Sequence, residues 1–260
     1  TCGASILRQE SRSAWAAPTS GGAQVSWEAP DDHGDPITEY LVYVDGDPVP
    51  TSVAGDTTTA TLDGLTIGEP HVFEVAAANA HGTSARSMPT DAVVPYAATT
   101  TTVAFTPSAV AYPGTFDVVA TVHAPITVQD GTVTFWRNST KVGEVPVVDG
   151  QAALRGQALN AATYTFVASF GGGALAQASG SSAMITVSRG TQVISFTAPE
   201  ATAWNAGPVT VAPTSTSGLT VAVASTTTSV CRVSARTVTL LTAGTCTLTA
   251  SQAGNANYSA

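Results

Sequence analysis

Lysine is almost absent from this 260-residue sequence: Lys141 is the only one, and charged residues make up 10% of the chain. The net charge of −9 is concentrated in the first third, because residues 14–95 hold twelve acids and one base. Residues 96–190 hold four of each. Binding of nucleic acid requires clustered Lys and Arg to neutralise phosphates. We therefore expect no nucleic-acid partner.

Long apolar runs are also lacking. No stretch approaches the roughly 20 apolar residues of a membrane helix, so we expect no membrane insertion within this sequence. The first residues, TCGAS, carry neither an initiator Met nor a signal-peptide pattern, which predicts a mature product or a piece of a longer chain. A helical period of 3.6 is missing outside SILRQESR near the start, and Thr, Ser, Val and Ala dominate. This pattern predicts an all-β protein.

Cysteine occurs three times. Cys231 and Cys246 lie on two apparent strands, SVCRV and GTCTL, so a disulfide between neighbouring strands is predicted. The two cysteines are fifteen residues apart, and closing a loop of that size would stabilise the fold by about 3 kcal/mol. Two buried reduced thiols are the alternative. Cys2 is left over, and its partner is expected upstream of this sequence.

Motifs of catalysis are missing. The sequence contains no HExxH, no GxSxG before a helix, no P-loop and no GxGxxG. Catalysis needs titratable groups that converge, whereas the histidines are scattered over different predicted contexts: His33, His71, His81 and His123. We therefore expect no catalytic residue, no cofactor and no enzymatic activity.

Three similar stretches recur along the chain, VFEVAAANAHGTSA, TYTFVASFGGGALA and AGTCTLTASQAGNANYSA. The alanines that occupy their matching positions, Ala77, Ala168 and Ala250, are 91 and then 82 residues apart. Spacing of that size indicates whole domains. The predicted division is an N-terminal segment and three domains that sit end to end with restricted bending, over residues 1–13, 14–95, 96–190 and 191–260. No strand is expected after the third stretch, so its domain would lack its last strand. Either the chain continues beyond residue 260 or another subunit supplies a strand.

Apolar and polar residues alternate in the first domain as they do in half-buried strands, and Val25 and Trp27 are predicted to point inward in QVSWEA. The segments VSWEAPDDHGDPITEYLVYVDG and LDGLTIGEPHVFEVAAANAHGTSA resemble a fibronectin type III domain over about residues 14–95, with Trp27 at the core tryptophan of that family. The family usually has a Tyr at the corner position of His71. An imidazole there can donate one hydrogen bond, and the corner is expected to be weaker.

The segments DGTVTFWRNSTKVGEVPVVDGQAAL and AATYTFVASFGGG resemble the bacterial Ig-like domains of secreted and surface proteins. Tyr164 stands at the corner position of this second domain, and Val133, Phe135, Phe166 and Ala168 are predicted to face inward. The third domain is similar to a Cys-containing Ig-like repeat of large bacterial extracellular proteins. These resemblances imply three tandem β-sandwiches in an extracellular or cell-surface protein.

Two loops of the first domain carry possible cation ligands. In the fibronectin type III arrangement DDHGDP (31–36) and NAHGTSA (79–85) emerge at the same pole, which would bring together Asp31, Asp32, His33, Asp35 and His81. Oxygen and imidazole ligands bind cations. Turns collect Asp, Gly and Pro without any metal, and the spacing matches no ligand motif, so we predict no metal site and keep these five residues as weak candidates.

Exposed aromatics are the remaining candidates, because sugars stack on solvent-facing rings. Alternation places Trp136 outward, and Trp204 lies in the apparent loop EATAWNAG. Together with Trp15 they fall on three different domains, which argues against a shared sugar platform.

The leading functional hypothesis is a non-enzymatic spacer, stalk or adhesion region of a larger modular bacterial protein. Its expected partners are other domains of the same chain, and a protein or glycan at a surface. Two alternatives stay open: an accessory region of a secreted polysaccharide-degrading enzyme, and a structural component of a virion or extracellular filament.

Overall fold

The computed structural model describes residues 13–32 and 34–260, and all regular secondary structure within them is β. The all-β prediction is therefore confirmed. Cys2, most of the predicted segment 1–13 and His33 lie outside the described residues. The chain divides into two compact units, and both take up parts of the central strands: Thr1–Val103, Ala120–Ala153 and Val167–Ser182 form the first unit, and Ala104–Val119, Leu154–Phe166 and Ala183–Ala260 form the second.

The N-terminal region, residues 13–95, contains seven strands in two antiparallel sheets. One sheet has the order β1-β2-β5 and the other β4-β3-β6-β7. Their bounds are β1 Ala14–Thr19, β2 Gly22–Trp27, β3 Glu39–Val44, β4 Thr51–Ala54, β5 Thr59–Asp63, β6 Phe73–Asn79 and β7 Gly82–Thr83.

Alternating side chains of these two sheets form one apolar core. Val25 and Trp27 on β2 are buried as predicted, and the Trp27 ring packs at 5.1 Å, centroid to centroid, on the ring of Tyr40. Phe73 and Val75 on β6 complete this core and are completely buried. Period-two burial on both sheets is what a sandwich requires.

A ladder of hydroxyl groups extends the second sheet beyond β6. Ser84, Ser87 and Thr90 are buried, and we call these three residues the hydroxyl ladder. Their backbone N–H groups donate to the carbonyls of Ala77, Val75 and Phe73, at 2.8 to 2.9 Å.

The side-chain hydroxyls of the ladder accept a second hydrogen bond from β6 at each of the three positions. The N–H groups of Ala77, Val75 and Phe73 donate to the hydroxyls of Ser84, Ser87 and Thr90 at 3.0 to 3.2 Å. Each hydroxyl in turn donates to the carbonyl of the next residue in the chain. A step of three residues along the ladder thus matches a step of two along β6, and the side chains replace the acceptors that a regular strand would supply.

The central region, residues 96–190, contains eight strands. One sheet has the order β13-β10-β8 and the other β12-β11-β14-β15-β9. Their bounds are β8 Thr100–Thr106, β9 Val110–Ala111, β10 Thr115–His123, β11 Thr132–Arg137, β12 Thr140–Pro146, β13 Gln151–Ala158, β14 Ala162–Phe170 and β15 Ser179–Ser188.

The inward positions predicted for the central region are all buried. Val133, Phe135, Phe166 and Ala168 have no exposed surface. Within the second unit, Phe166 packs edge-on against Phe105 and Phe116 at 5.8 and 6.0 Å.

The predicted corner tyrosine of this region is also confirmed. The Tyr164 hydroxyl donates to the carbonyl of Asn160, four residues upstream, at 3.1 Å. Such a bond fixes the approach of the chain to the strand that follows.

The C-terminal region, residues 191–260, has seven short strands. Its sheets have the orders β16-β18, β17-β21-β20 and β19-β22. Their bounds are β16 Ile194–Ser195, β17 Val209–Thr210, β18 Thr214–Ser215, β19 Ala222–Ser225, β20 Cys231–Ser234, β21 Thr237–Leu240 and β22 Leu248–Ser251. Residues 252–260 form no strand and make a single bridge, from Tyr258 to Gly190.

The core of the C-terminal region is small and includes the predicted disulfide. Cys231 on β20 is completely buried, together with Val211 and Val238. Cys231 is bonded to Cys246, with 5.6 Å between the two Cα atoms. The structure therefore decides in favour of the disulfide over two reduced thiols.

Candidate functional site

The two loops that carry the cation candidates do meet. His81 Nε2 lies 3.5 Å from Asp35 Oδ1, and the two side chains are 43% and 37% exposed. Asp32 Oδ1 accepts the Gly34 N–H at 2.9 Å, and Asn79 Oδ1 accepts the His81 N–H at 2.9 Å. These carboxylate and amide oxygens stabilise their own turns.

The loops do not assemble a metal site from the residues that the structure describes. Among those residues, no three His, Cys, Asp or Glu side chains are placed to hold an ion together. Asp31 is exposed. The turn interpretation accounts for the described part of this cluster.

The corner of the N-terminal region is built from His71 and Asp45. The His71 Nδ1 and Asp45 Oδ2 atoms are 2.7 Å apart, and the Val72 N–H donates to Asp45 Oδ1 at 2.9 Å. The imidazole therefore makes one hydrogen bond, as predicted for a corner without tyrosine. Burial raises the pKa of Asp45, but the hydrogen bonds from Val72 and His71 and the attraction to His71 outweigh burial and lower its pKa.

The candidate tryptophans are exposed, and they occupy different surfaces. Trp136 on β11 is 38% exposed, Trp15 on β1 53%, and Trp204, in the loop between β16 and β17, 57%. Trp204 borders a cavity.

A groove of about 620 Å³ opens beside Trp204 in the C-terminal region. The loop 199–204 and the loop 242–246 form its sides, and core-facing residues such as Val238 and Leu240 form its floor. Cys246 also lines this groove and is partly exposed, whereas Cys231 is completely buried. The two cysteine residues of the disulfide thus differ in exposure.

The linker between the N-terminal and central regions is hydrogen-bonded to both regions, within the first unit. On the N-terminal side the Gly21 N–H donates to the Tyr96 carbonyl at 2.8 Å. On the central side the Ala97 N–H donates to the Leu175 carbonyl at 2.7 Å, and the Ala97 carbonyl accepts the Gln177 N–H at 2.9 Å. Consecutive linker residues therefore belong to two different ladders.

The connection between the central and C-terminal regions has the same character, within the second unit. The Gly190 N–H donates to the Asn257 carbonyl at 2.9 Å, and the Gly190 carbonyl accepts the Ser259 N–H at 3.0 Å. The Tyr258 ring packs edge-on against the Tyr112 ring at 5.3 Å. Glycine is required here, because a Cβ on Gly190 would collide with the backbone carbonyl of Tyr112.

Asn257 extends this second connection to the loop before β14. Its Oδ1 accepts the Ala161 N–H at 2.9 Å, and its Nδ2 donates to Asn160 Oδ1 at 3.0 Å. We call residues 95–98 and 189–190, with these contacts, the two paired linkers.

Sequence reasoning missed both the groove and the pairing of the linkers. Their parts come from segments far apart in the chain, and no local motif marks them. The residues described contain no helix long and apolar enough to cross a bilayer.

Several solved structures are similar to this chain at low sequence identity. Solved structures similar to this chain include a two-domain fibronectin type III segment of chicken tenascin, at 14% identity and a TM-score of 0.42, covering 69% of this chain and 100% of that one. The chicken interferon gamma receptor alpha chain matches at 14% identity and 0.43, covering 69% and 98%. The fibronectin(III)-like modules of Clostridium thermocellum CbhA match at 14% and 0.30, covering 71% and 92%.

The match to a protein family is confined to the N-terminal region. Fibronectin type III domains are commonly non-enzymatic spacer or adhesion modules and are often extracellular. Residues 13–93 match the model of this family, the fibronectin type III domain, which confirms the resemblance predicted for the N-terminal region.

Proposed function

We propose that this chain is a non-enzymatic spacer or adhesion region of a larger modular bacterial protein that acts outside the cytoplasm. Residues 14–95, 96–190 and 191–260 are its three domains in this proposal. Its partners are other domains of the same longer chain, and a protein or glycan at a surface.

The pairing of the linkers is the observation that carries the proposal. A spacer transmits orientation only if its connections resist bending, and a flexible linker would let adjacent domains reorient freely. Here Tyr96 is hydrogen-bonded to the N-terminal region and Ala97 to the central region, at 2.7 to 2.9 Å. Bending at this linker would break backbone hydrogen bonds on one side or the other.

The setting outside the cytoplasm is supported by the disulfide. Cys231 and Cys246 are bonded, and such bonds persist in oxidising compartments and are rare in the cytosol. The fibronectin type III match at residues 13–93 is consistent with the same setting.

The test measures the relative orientation of the N-terminal and central regions in solution. Residual dipolar couplings of the intact chain should fit one alignment tensor for residues 14–95 and for the adjoining part of the first unit. Inserting Gly-Ser-Gly-Ser between Tyr96 and Ala97 should give two independent tensors, while the same insertion in the exposed turn after Asp47 should not. Independent tensors in the unaltered chain would contradict a rigid spacer.

A second candidate is the accessory region of a secreted polysaccharide-degrading enzyme. The observation that favours it is Trp204, which is 57% exposed at a groove whose rim also carries the hydroxyls of Thr202, Thr242 and Thr245. An aromatic ring beside hydroxyls suits a sugar ring.

Depletion of the chain from solution by insoluble cellulose, chitin or xylan tests this second candidate. Binding that Trp204→Ala abolishes and Trp136→Ala leaves intact would support it. Absence of depletion by all three polymers would refute it and leave the spacer proposal standing.

A further inference from the structure

The disulfide of the C-terminal region is asymmetric in access and in hydrogen bonding. Cys246 lines the groove and is partly exposed, whereas Cys231 has no exposed surface. A nucleophile that enters the groove therefore meets Cys246 first, whereas Cys231 is enclosed by the surrounding core.

Two hydroxyl groups face the buried sulfur. Ser225 Oγ lies 3.2 Å from Cys231 Sγ, and Thr227 Oγ1 lies 3.7 Å from it. A disulfide sulfur carries no proton, so both hydroxyls act as the donors. Hydrogen bonds of this kind are stronger when the sulfur is a thiolate, because the acceptor is then charged.

Backbone groups hold these hydroxyls in the donating orientation. Ser225 Oγ accepts the Thr227 N–H at 3.1 Å, and Thr227 Oγ1 accepts the Thr247 N–H at 2.8 Å. Because each oxygen already accepts a hydrogen bond, its own proton is left to point at the sulfur. The site of a Cys231 thiolate is thus organised before any thiolate forms.

We propose that Cys246 is a site of reversible thiol capture, at which a thiolate from a small-molecule or peptide thiol enters the groove and forms a mixed disulfide. The entering thiolate bonds to Cys246 Sγ, the bond between the two cysteines breaks, and Cys231 departs with the electron pair as a thiolate. Ser225 and Thr227 stabilise that leaving group, and a better-stabilised leaving thiolate speeds the exchange. The retained Cys231 thiolate can later attack Cys246 Sγ, which expels the captured thiol and restores the original bond.

The groove also selects by charge. Glu200 is the single charged residue among those that line it. Each rate is divided by the rate of the same thiol with a small uncharged disulfide, so that differences in thiol pKa and nucleophilicity cancel. The cationic cysteamine should then be favoured over the anionic 3-mercaptopropionate by roughly twofold to fivefold at low ionic strength. Glu200→Gln should remove most of this preference.

The experiment uses the full chain carrying Cys2→Ser, so that Cys231 and Cys246 are the only cysteines that can react. The chain is treated with cysteamine, quenched with acid, alkylated and mapped by mass spectrometry. We expect the cysteamine adduct on Cys246 and the alkyl group on Cys231, with a rate that rises linearly with thiol concentration. An adduct shared between the two cysteines, or a rate that levels off at the unfolding rate of the region, would overturn the proposal.

Three variants test the hydroxyls. Ser225→Ala and Thr227→Val should slow the exchange by about threefold or more, whereas Thr227→Ser should restore it. Thr239→Val, on the exposed face of β21, is the matched control and should leave the rate unchanged. Where a variant lowers stability, the distribution of the adduct between the two cysteines still decides, because attack through unfolding would label both.

Discussion

Replacing Thr90 by Val would remove one hydroxyl of the ladder while nearly preserving the shape of the side chain. Thr90 is 6% exposed and Phe73 is completely buried. The Phe73 N–H, which donates to Thr90 Oγ1 at 3.2 Å, would then have lost that acceptor in an environment that water does not reach. The backbone bond from the Thr90 N–H to the Phe73 carbonyl, at 2.9 Å, would remain.

The expected cost follows from the burial of that N–H. Leaving a buried donor unsatisfied costs about 1–3 kcal/mol. For a cooperative unit of 60–100 residues, each kcal/mol lowers the midpoint of thermal unfolding by about 4–8 °C. Thr90→Val should therefore lower the transition of the N-terminal region by at least about 4 °C.

Calorimetry of the intact chain measures the midpoint, and hydrogen exchange of peptides from β6 assigns the transition to the N-terminal region. Thr83→Val is the control, because Thr83 lies exposed on β7 beside the ladder and surface changes are usually within about 0.5 kcal/mol. If Thr90→Val shifts the midpoint no more than Thr83→Val does, the hydroxyl does not act as the acceptor of the Phe73 N–H, and the ladder argument is wrong.

Three further predictions concern other parts of the chain. The folded pKa of Asp45 is lowered from its ordinary value of 3.8. Its contribution to stability is therefore complete above that value and is lost as the pH falls through the folded pKa. Acid unfolding followed by circular dichroism should show that stability depends less on pH in Asp45→Asn than in the unaltered chain, whereas Asp56→Asn should leave the pH dependence unchanged. Tyr164→Phe should lower the free energy of unfolding measured in urea by about 1 kcal/mol, because its bond to the upstream carbonyl is lost; an unchanged midpoint would contradict the corner role. Cys231→Ser with Cys246→Ser should cost about 3 kcal/mol by the chain-entropy model, detected as earlier urea unfolding of the C-terminal region.

Local pattern was sufficient for the elements whose partners are regular strands. Val25 and Trp27 alternate with polar residues, and a period of two places both in the core. Tyr164 was predictable because a corner tyrosine bonds to a carbonyl only a few residues upstream. Cys231 and Cys246 were predictable as a pair because each stands on a strand and the chain between them is short.

Local pattern failed where the geometry departs from a regular strand. Ser84, Ser87 and Thr90 recur every three residues, a period that belongs to neither strand nor helix. A signal was present, because three hydroxyl residues at equal spacing follow directly after a strand. The groove beside Trp204 carried no such signal, since its two sides are about 40 residues apart and only tertiary folding brings them together.

The paired linkers have a consequence for how such a chain can be rearranged. Tyr96 is hydrogen-bonded to the N-terminal region and Ala97 to the central region. A recombination point at this linker would therefore join a region to a linker residue that evolved with a different partner, and these hydrogen bonds would be at risk. Gly190 imposes the same restriction, since its partners come from residues 257–259 and its small size is set by Tyr112. Recombination that preserves folding would therefore have to transfer each linker together with the loops that are hydrogen-bonded to it. The unit that recombines is then larger than a single sandwich.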